Sequence, residues 1–257
     1  MKQQWDSWMV PSTSEECRAL LVIISVTKKI CAATYLGVVP YEHALKLQQR
    51  LVQLRAEGNI PDTLLLLQHP PVFTIGRFRG EEDIIVPLGR LAQEGIEVFH
   101  TSRGGGITHH APGQLVGYPI LNLRENHLGV RQYIWKLEEV IIKLLLSLGI
   151  QGCRVAKSPG SVWVGEKKVC SIGIHVSHHV TMHGFALNVN NDLRYFKYIR
   201  PCGLRSEVMT SLLELLGYPV KVETITGKLL DSFSEIFRLK CEQGDYKWLA
   251  MLDTPTG

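Results

Sequence analysis

The feature that most constrains the fold is a series of short apolar runs that are broken by proline and glycine. Between these runs lie a few segments whose apolar residues recur at helical spacing. Thr63–Gln68 and Val72–Ile75 are two such runs, separated by His69-Pro70-Pro71. Runs this short beside prolines favour strands over helices. The clearest helical stripe is Val130–Leu148, which Gly149 ends. The elements lack regular βαβ alternation, which predicts an α+β domain with a mixed, largely antiparallel β-sheet flanked by helices.

The same patterns predict the remaining elements. Residues 1–28 are interpreted as an N-terminal extension with partial disorder, residues 29–245 as the main folded domain and residues 246–257 as a C-terminal tail. The predicted helices are residues 40–58, Leu88–Gly95 and about Thr226–Leu239, and the predicted strands are Lys29–Tyr35, Ile96–His100, Gly117–Leu123, Ser161–Val164, Lys168–Val176 and Val180–Val189.

Composition excludes several classes of protein. The 257 residues are 45% hydrophobic and 20% charged, which argues against a disordered, collagen-like or membrane protein. A net charge of +4 is too small to argue for a nucleic-acid partner. The six cysteines form no CxxC pair, and no secretory signal is recognised at the N-terminus, so we expect free thiols in the cytoplasm.

A glycine-rich segment, residues 103–117, is predicted to be a loop. Its Arg103-Gly104-Gly105-Gly106 start lets the backbone approach a ligand and offers amide donors, and Ile107, Thr108, His109 and His110 follow. The alternative is a flexible surface loop. It is neither a Walker motif nor a GxGxxG fingerprint.

Two further segments carry reactive side chains. Strand alternation predicts that Lys168 shares a face with Cys170 and Ile172, although both Lys167 and Lys168 could instead be exposed on a hairpin. In Arg200-Pro201-Cys202-Gly203, proline and glycine put the cysteine on a rigid turn, as a nucleophile requires. Without a cation nearby, an inert buried thiol is the better interpretation.

Ten histidines are present, seven of them within residues 100–110 and 175–183. The adjacent pairs are not spaced like the ligands of a known zinc motif, so no metal site is predicted.

Together these segments resemble the lipoyl(octanoyl) transferases. The family pattern RGGxxTYHGPGQLVGYPI stands here as RGGGITHHAPGQLVGYPI, KIxSIG as KVCSIG, and HGxALNVNxDLxxFxxIxPCG as HGFALNVNNDLRYFKYIRPCG. The resemblance covers roughly residues 34–245. It departs at His109 (usually Tyr), at Ala111 (usually Gly) and at His175, His178 and His179, where many relatives carry Arg.

The resemblance implies the lipoate and biotin protein ligase fold and an octanoyl transfer that needs no cofactor, ATP or metal. The implied donor is octanoyl-acyl carrier protein, and the implied acceptors are lysines of lipoyl domains and of the glycine cleavage H protein. It implies Cys202 as the acyl-thioester nucleophile and Lys168 as the residue that lowers its pKa. The implied substrate-binding residues are Arg103, Gly104, Gly105, Gly106, Ile107, Thr108, His109, His110, Ser171, Ile172, Gly173, Gly184, Phe185 and Ala186.

Two other functions are compatible with these residues. An ATP-dependent lipoate or biotin ligase would share the fold but would need no nucleophilic cysteine. A non-catalytic binder of acyl carrier protein or lipoyl domains would need neither Cys202 nor Lys168.

Overall fold

The computed structural model describes residues 28–200 and 208–244, and the structural statements below concern these residues. Two short 3₁₀ helices, Glu81–Asp83 and Leu193–Tyr198, supplement the regular elements. The strands are β1 Ile30–Val38, β2 Asp62–Gln68, β3 Val72–Ile75, β4 Glu97–His100, β5 Ile107–His110, β6 Gln114–Ile120, β7 Cys153–Arg154, β8 Ser161–Val164, β9 Lys167–Ser177, β10 Val180–Asn188 and β11 Lys240–Gln243, and the α-helices are α1 Tyr41–Ala56, α2 Leu88–Gln93, α3 Val130–Leu146, α4 Leu212–Leu216 and α5 Val222–Phe237.

The described strands form two sheets. The larger has the order β11-β1-β2-β6-β10-β9-β8-β7, and the smaller has the order β4-β3-β5. In the larger sheet β1 is parallel to both β2 and β11, whereas the other neighbours are antiparallel. This is the mixed, largely antiparallel sheet that the sequence predicts.

Helices cover both faces of the large sheet. In β2 the leucines alternate, so that Leu64 and Leu66 join the core beneath α3 and α5, while Leu65 and Leu67 join the core beneath α1. A strand buried on both faces is apolar throughout, which explains the unbroken run of four leucines. A third apolar cluster fills the space between the small sheet and the second 3₁₀ helix.

Most predicted elements are confirmed with small shifts at their ends, but one loop prediction is wrong. The segment 103–117 contains the strand Ile107–His110 and the start of β6. Pairing of β5 with β3 supplies the backbone hydrogen bonds that override the local glycine content. The short elements β7, β11 and α4 were not predicted, because they have too few residues to show a period.

The longest described helix has 17 residues, and none of the described helices is both long and apolar enough to cross a membrane.

Candidate functional site

A cavity of about 840 Å³ opens beside the middle of β9 and β10. Among its described lining residues are the cations Arg79, Arg103, Lys157 and Lys168, but no Asp or Glu. Arg79 pairs with Asp83 at 3.2 Å, outside the lining, and the other three cations favour an anionic group inside the cavity. Of the residues predicted for the site, the cavity is lined by Arg103, Gly104, Gly105, Gly106, Ile107, Thr108, His110, Lys168, Ser171, Ile172, Gly173, Gly184, Phe185 and Ala186.

The glycine-rich turn at one wall of this cavity is tightly bound to its neighbours. Gly76 donates its amide to the Gly106 carbonyl at 3.0 Å, and Gly104 donates to Ile174 O at 2.8 Å. A Cβ atom on Gly76 would lie 2.4 Å from the Gly105 carbonyl oxygen, so only glycine fits there. The Arg103 guanidinium bonds to Thr74 Oγ1 at 2.8 Å and to the Thr74 carbonyl. The interpretation as a flexible surface loop is therefore wrong for this turn.

A β-bulge turns Lys168 into the cavity. Val162 pairs with Cys170 and Trp163 pairs with Lys168, which leaves Val169 as an extra residue in β9. Strict alternation is broken at this point, and Lys168 lines the cavity together with Ser171 while Cys170 is buried in the core. The prediction that Lys168 shares a face with Cys170 is therefore wrong. Lys168 is only 4% exposed, so an exposed hairpin lysine is excluded as well.

Hydrogen bonds link the cavity wall to the backbone of Lys168. The ring Nδ1 of His110 donates to Gln114 Oε1 at 2.8 Å, and Gln114 Nε2 donates to Asn188 Oδ1 at 2.9 Å. Asn188 Nδ2 donates to the Thr210 carbonyl at 2.9 Å, and the Thr210 amide donates to Lys168 O at 2.9 Å. All five residues are buried, so the network holds the lysine strand in a defined position.

One wall of the cavity is formed by uncharged aromatic side chains that the sequence did not single out. The Tyr118 hydroxyl donates to His69 Nε2 at 2.8 Å, and His69 Nδ1 donates to the Val39 carbonyl at 2.7 Å. Burial lowers the pKa of His69 to about 4 and raises that of Tyr41 to about 12. The wall therefore stays neutral at pH 7, which suits an apolar ligand. Tyr118 lies within the quoted GYPI motif, so the motif could have identified it.

His183 also lines the cavity, and the sequence motifs did not predict it as a site residue. It adopts φ 57° within β10, a region in which non-glycine residues are uncommon. Its ring lies 3.1 Å from the Ser102 hydroxyl, and burial, together with Arg103 and His175, lowers its pKa to about 3. The strained backbone marks this position as constrained by its surroundings.

The predicted site residue His109 does not line the cavity. Its ring packs against Phe73, Tyr195 and Phe196 in the cluster behind the small sheet. Neither ring nitrogen has a hydrogen-bond partner among the described residues, and burial lowers the pKa of His109 to about 4. As neighbours on a strand, His109 and His110 point to opposite sides.

Cys202 lies outside the described residues. The chain before it is fixed by the amide of Arg200, which donates to Asp83 O at 2.8 Å, and the chain after it by a parallel bridge from Met209 to Lys168. Within residues 28–200 and 208–244, no group of three or more His, Cys, Asp or Glu side chains could hold a metal ion.

Comparison with known families agrees with the fold and the motifs. Residues 40–234 match the model of the lipoyl protein ligase A/B catalytic domain. The chain is 47% identical to an octanoyltransferase of Caldicellulosiruptor saccharolyticus over 80% of its own length and 88% of the relative. It is 46% identical to an octanoyltransferase of Alkaliphilus metalliredigens, over 79% of this chain and 93% of that one.

Solved structures show the same fold at much lower identity. A lipoate-protein ligase A bound with ATP superposes with a TM-score of 0.70 at 14% identity, covering 88% of this chain and 92% of its own. A bi-partite lipoate protein ligase of Thermoplasma acidophilum gives a TM-score of 0.70 at 16% identity, covering 87% and 90%. The fold prediction is thereby confirmed, and the chain belongs to the lipoyl protein ligase A/B catalytic-domain family, within which it groups with the octanoyltransferases.

Proposed function

We propose that this chain transfers an octanoyl group from the thioester of octanoyl-acyl carrier protein to a lysine ε-amine, through an acyl thioester on Cys202. The acceptors are lipoyl-domain proteins and the glycine cleavage H protein. Residues 29–245 form the catalytic domain, a range that includes the family match at 40–234. The observation that carries the proposal is the buried Lys168 in a cavity whose described lining has cations and no carboxylate.

The first half of the reaction moves the acyl group onto the enzyme. An unperturbed thiol has a pKa near 8.5, so Cys202 needs a positive environment to ionise at pH 7. Lys168 supplies that charge as an ammonium group. The Cys202 thiolate attacks the thioester carbonyl, its new C–S bond forms as the bond to the phosphopantetheine sulfur breaks, and Lys168 gives its proton to the leaving thiolate.

The second half moves the acyl group to the acceptor. The acceptor amine attacks the acyl-Cys202 carbonyl, the C–N bond forms, and the Cys202 thiolate leaves. The now neutral Lys168 takes the surplus proton of the amine and returns to its ammonium form. A thioester and an amine become an amide and a thiol, which runs downhill without ATP.

The cavity supports the proposed substrate as well as the chemistry. Ile107, Ile172 and Phe185 supply apolar lining, and each methylene that an octanoyl chain buries there contributes about 0.8 kcal/mol. The amides of Gly104 and Ile172 already donate to Ile174 O and Gly160 O, so these two do not stabilise an oxyanion. Any backbone donor for that charge must come from other residues.

Intact-mass measurement after incubation with octanoyl-acyl carrier protein tests the proposal. We expect one octanoyl adduct on the wild type, none on Cys202→Ala, and an unchanged adduct on Cys153→Ser, the matched control at an exposed cysteine. Adding a lipoyl domain should discharge the adduct without ATP. Full transfer by Cys202→Ala, or transfer that depends on ATP, would overturn the mechanism.

A further inference from the structure

Two cysteines that the proposed chemistry does not use lie opposite one another at the far edge of the large sheet. Cys31 on β1 pairs in register with Cys241 on β11, and the two strands are parallel neighbours. They are distant in sequence but belong to the first and last described strands. Neighbouring strands are about 4.8 Å apart, which is within the Cα separation that a disulfide can bridge.

The two thiols lie on neighbouring strands and differ in access to solvent. The proximity of Cys31 lowers the pKa of the Cys241 thiol, whereas the proximity of Cys241, together with burial, raises the pKa of Cys31. Cys31 is fully buried, whereas Cys241 is partly exposed. An external oxidant therefore meets Cys241 first, and that thiol is also the more readily ionised of the two.

We propose that Cys31 and Cys241 form a redox-active dithiol that closes to a disulfide when it meets a low-molecular-weight disulfide such as oxidised glutathione. The Cys241 thiolate attacks one sulfur of the oxidant, forms a mixed disulfide and releases one thiol. The Cys31 thiolate then attacks Cys241 Sγ, forms the intramolecular S–S bond and releases the second thiol. The protein loses two protons and two electrons, which reduce one oxidised glutathione to two glutathione molecules.

The consequence is a covalent link between the two ends of the described domain. Without it, β11 is held to the sheet by its pairing with one strand alone, because it occupies the edge beyond β1. A disulfide closing such a long loop restricts the unfolded chain strongly. The oxidised form should therefore resist unfolding better than the dithiol form, while the cavity on the other side of β2 and β6 is unaffected.

Peptide mapping of the folded full-length chain, incubated in a series of glutathione redox buffers, tests this inference. We expect a non-reduced peptide that joins Cys31 to Cys241 and disappears with dithiothreitol. In urea the other four cysteines become competing partners, so the Cys31–Cys241 pairing should lose its selectivity. The denaturant midpoint of the oxidised folded protein should exceed that of the reduced protein. No linked peptide in any buffer would overturn the inference.

Single substitutions test the order of the two steps. In Cys31→Ser, the Cys241–glutathione mixed disulfide should accumulate, since no second thiol resolves it. In Cys241→Ser, Cys31 should remain unmodified because it is buried. Equal modification of Cys31 and Cys241 in the two variants would contradict the proposed order. Octanoyl transfer by both variants should stay at the wild-type level, which separates this inference from the proposed function.

Discussion

The β9–β10 hairpin behaves very differently at its middle and at its tip. In the middle, Gly173 pairs with Gly184, and both line the cavity under close packing. At the tip, His178 and His179 are exposed and turn the chain with φ values of 51° and 65°. The middle of this hairpin therefore has no room for an added Cβ atom, whereas the residues at its tip have strained backbone torsion angles but exposed side chains. Substitutions in the middle and at the tip should therefore change the free energy of unfolding by very different amounts.

The largest expected effect is that of Gly184→Ala in the middle of the hairpin. The added Cβ would lie 2.1 Å from the Gly117 carbonyl oxygen and 2.7 Å from Pro119 Cδ. Backbone cannot move aside cheaply, so we expect a loss of at least about 3 kcal/mol in the free energy of unfolding, or no folded protein. Urea unfolding followed by circular dichroism measures this loss.

A second glycine-to-alanine substitution, at a position without this steric clash, is the control for Gly184→Ala. Gly227 lies exposed within α5, and a Cβ there would meet nothing within 4 Å. Gly227→Ala should stabilise the protein by about 0.5–1 kcal/mol because alanine is the better helix former. Similar stabilities for the two variants would show that the sheet centre is not packed as described.

Next in size is the effect of Lys168→Met at the base of the hairpin. Removing the buried charge should lower the rate of octanoyl transfer by about 10²–10⁴-fold, the usual range for an acid–base group. It should also raise the pKa of the Cys202 thiol, read from the pH dependence of alkylation by iodoacetamide. Lys167→Met is the control, since its side chain is 56% exposed on the neighbouring position. An unchanged alkylation profile in Lys168→Met would defeat the role proposed for this lysine.

A smaller effect is expected from three buried histidines, of which His183 lies on the hairpin while His69 and His109 lie on other parts of the chain. Burial lowers the pKa of His69 and His109 to about 4 and that of His183 to about 3, well below the usual 6.5. Between pH 6.5 and 4 the unfolded chain binds protons that the folded protein does not, so stability falls as the pH falls. From pH 7 to pH 5 each such histidine should cost about 2 kcal/mol.

His109→Phe tests this linkage without disturbing the cavity. Phenylalanine suits the aromatic cage of Phe73, Tyr195 and Phe196, in which the imidazole has no hydrogen-bond partner among the described residues. The difference in unfolding free energy between pH 7 and pH 5 should shrink by about 2 kcal/mol relative to the wild type. An unaltered difference would show that the pKa of His109 is not lowered in the folded protein.

The sequence predicted the fold far better than the orientation of the site. Periodicity identified α3 and β2 because long or fully buried elements repeat their pattern several times. It could not predict the bulge at Val169, since one extra residue leaves no periodic signal yet reverses the face of Lys168. The motifs located Arg103 and Gly184 in the cavity, but alternation on β5 carries His109 away from it. Adjacent motif residues can therefore have separate roles.

The smallest effect is expected at the tip, where the double substitution His178→Asn and His179→Gly should stabilise the protein slightly. A two-residue hairpin turn with positive φ at both positions is the type that Asn-Gly forms best. Relief of the strain should add about 1 kcal/mol or less to the free energy of unfolding, measured by urea denaturation at pH 7. The rate of octanoyl transfer should not change if the tip serves only to turn the chain. A lower rate at low donor concentration, with normal stability, would instead reveal that these histidines contact the acyl donor. The tip of the hairpin would then differ from its middle because it binds a partner protein, and not because it is less tightly packed.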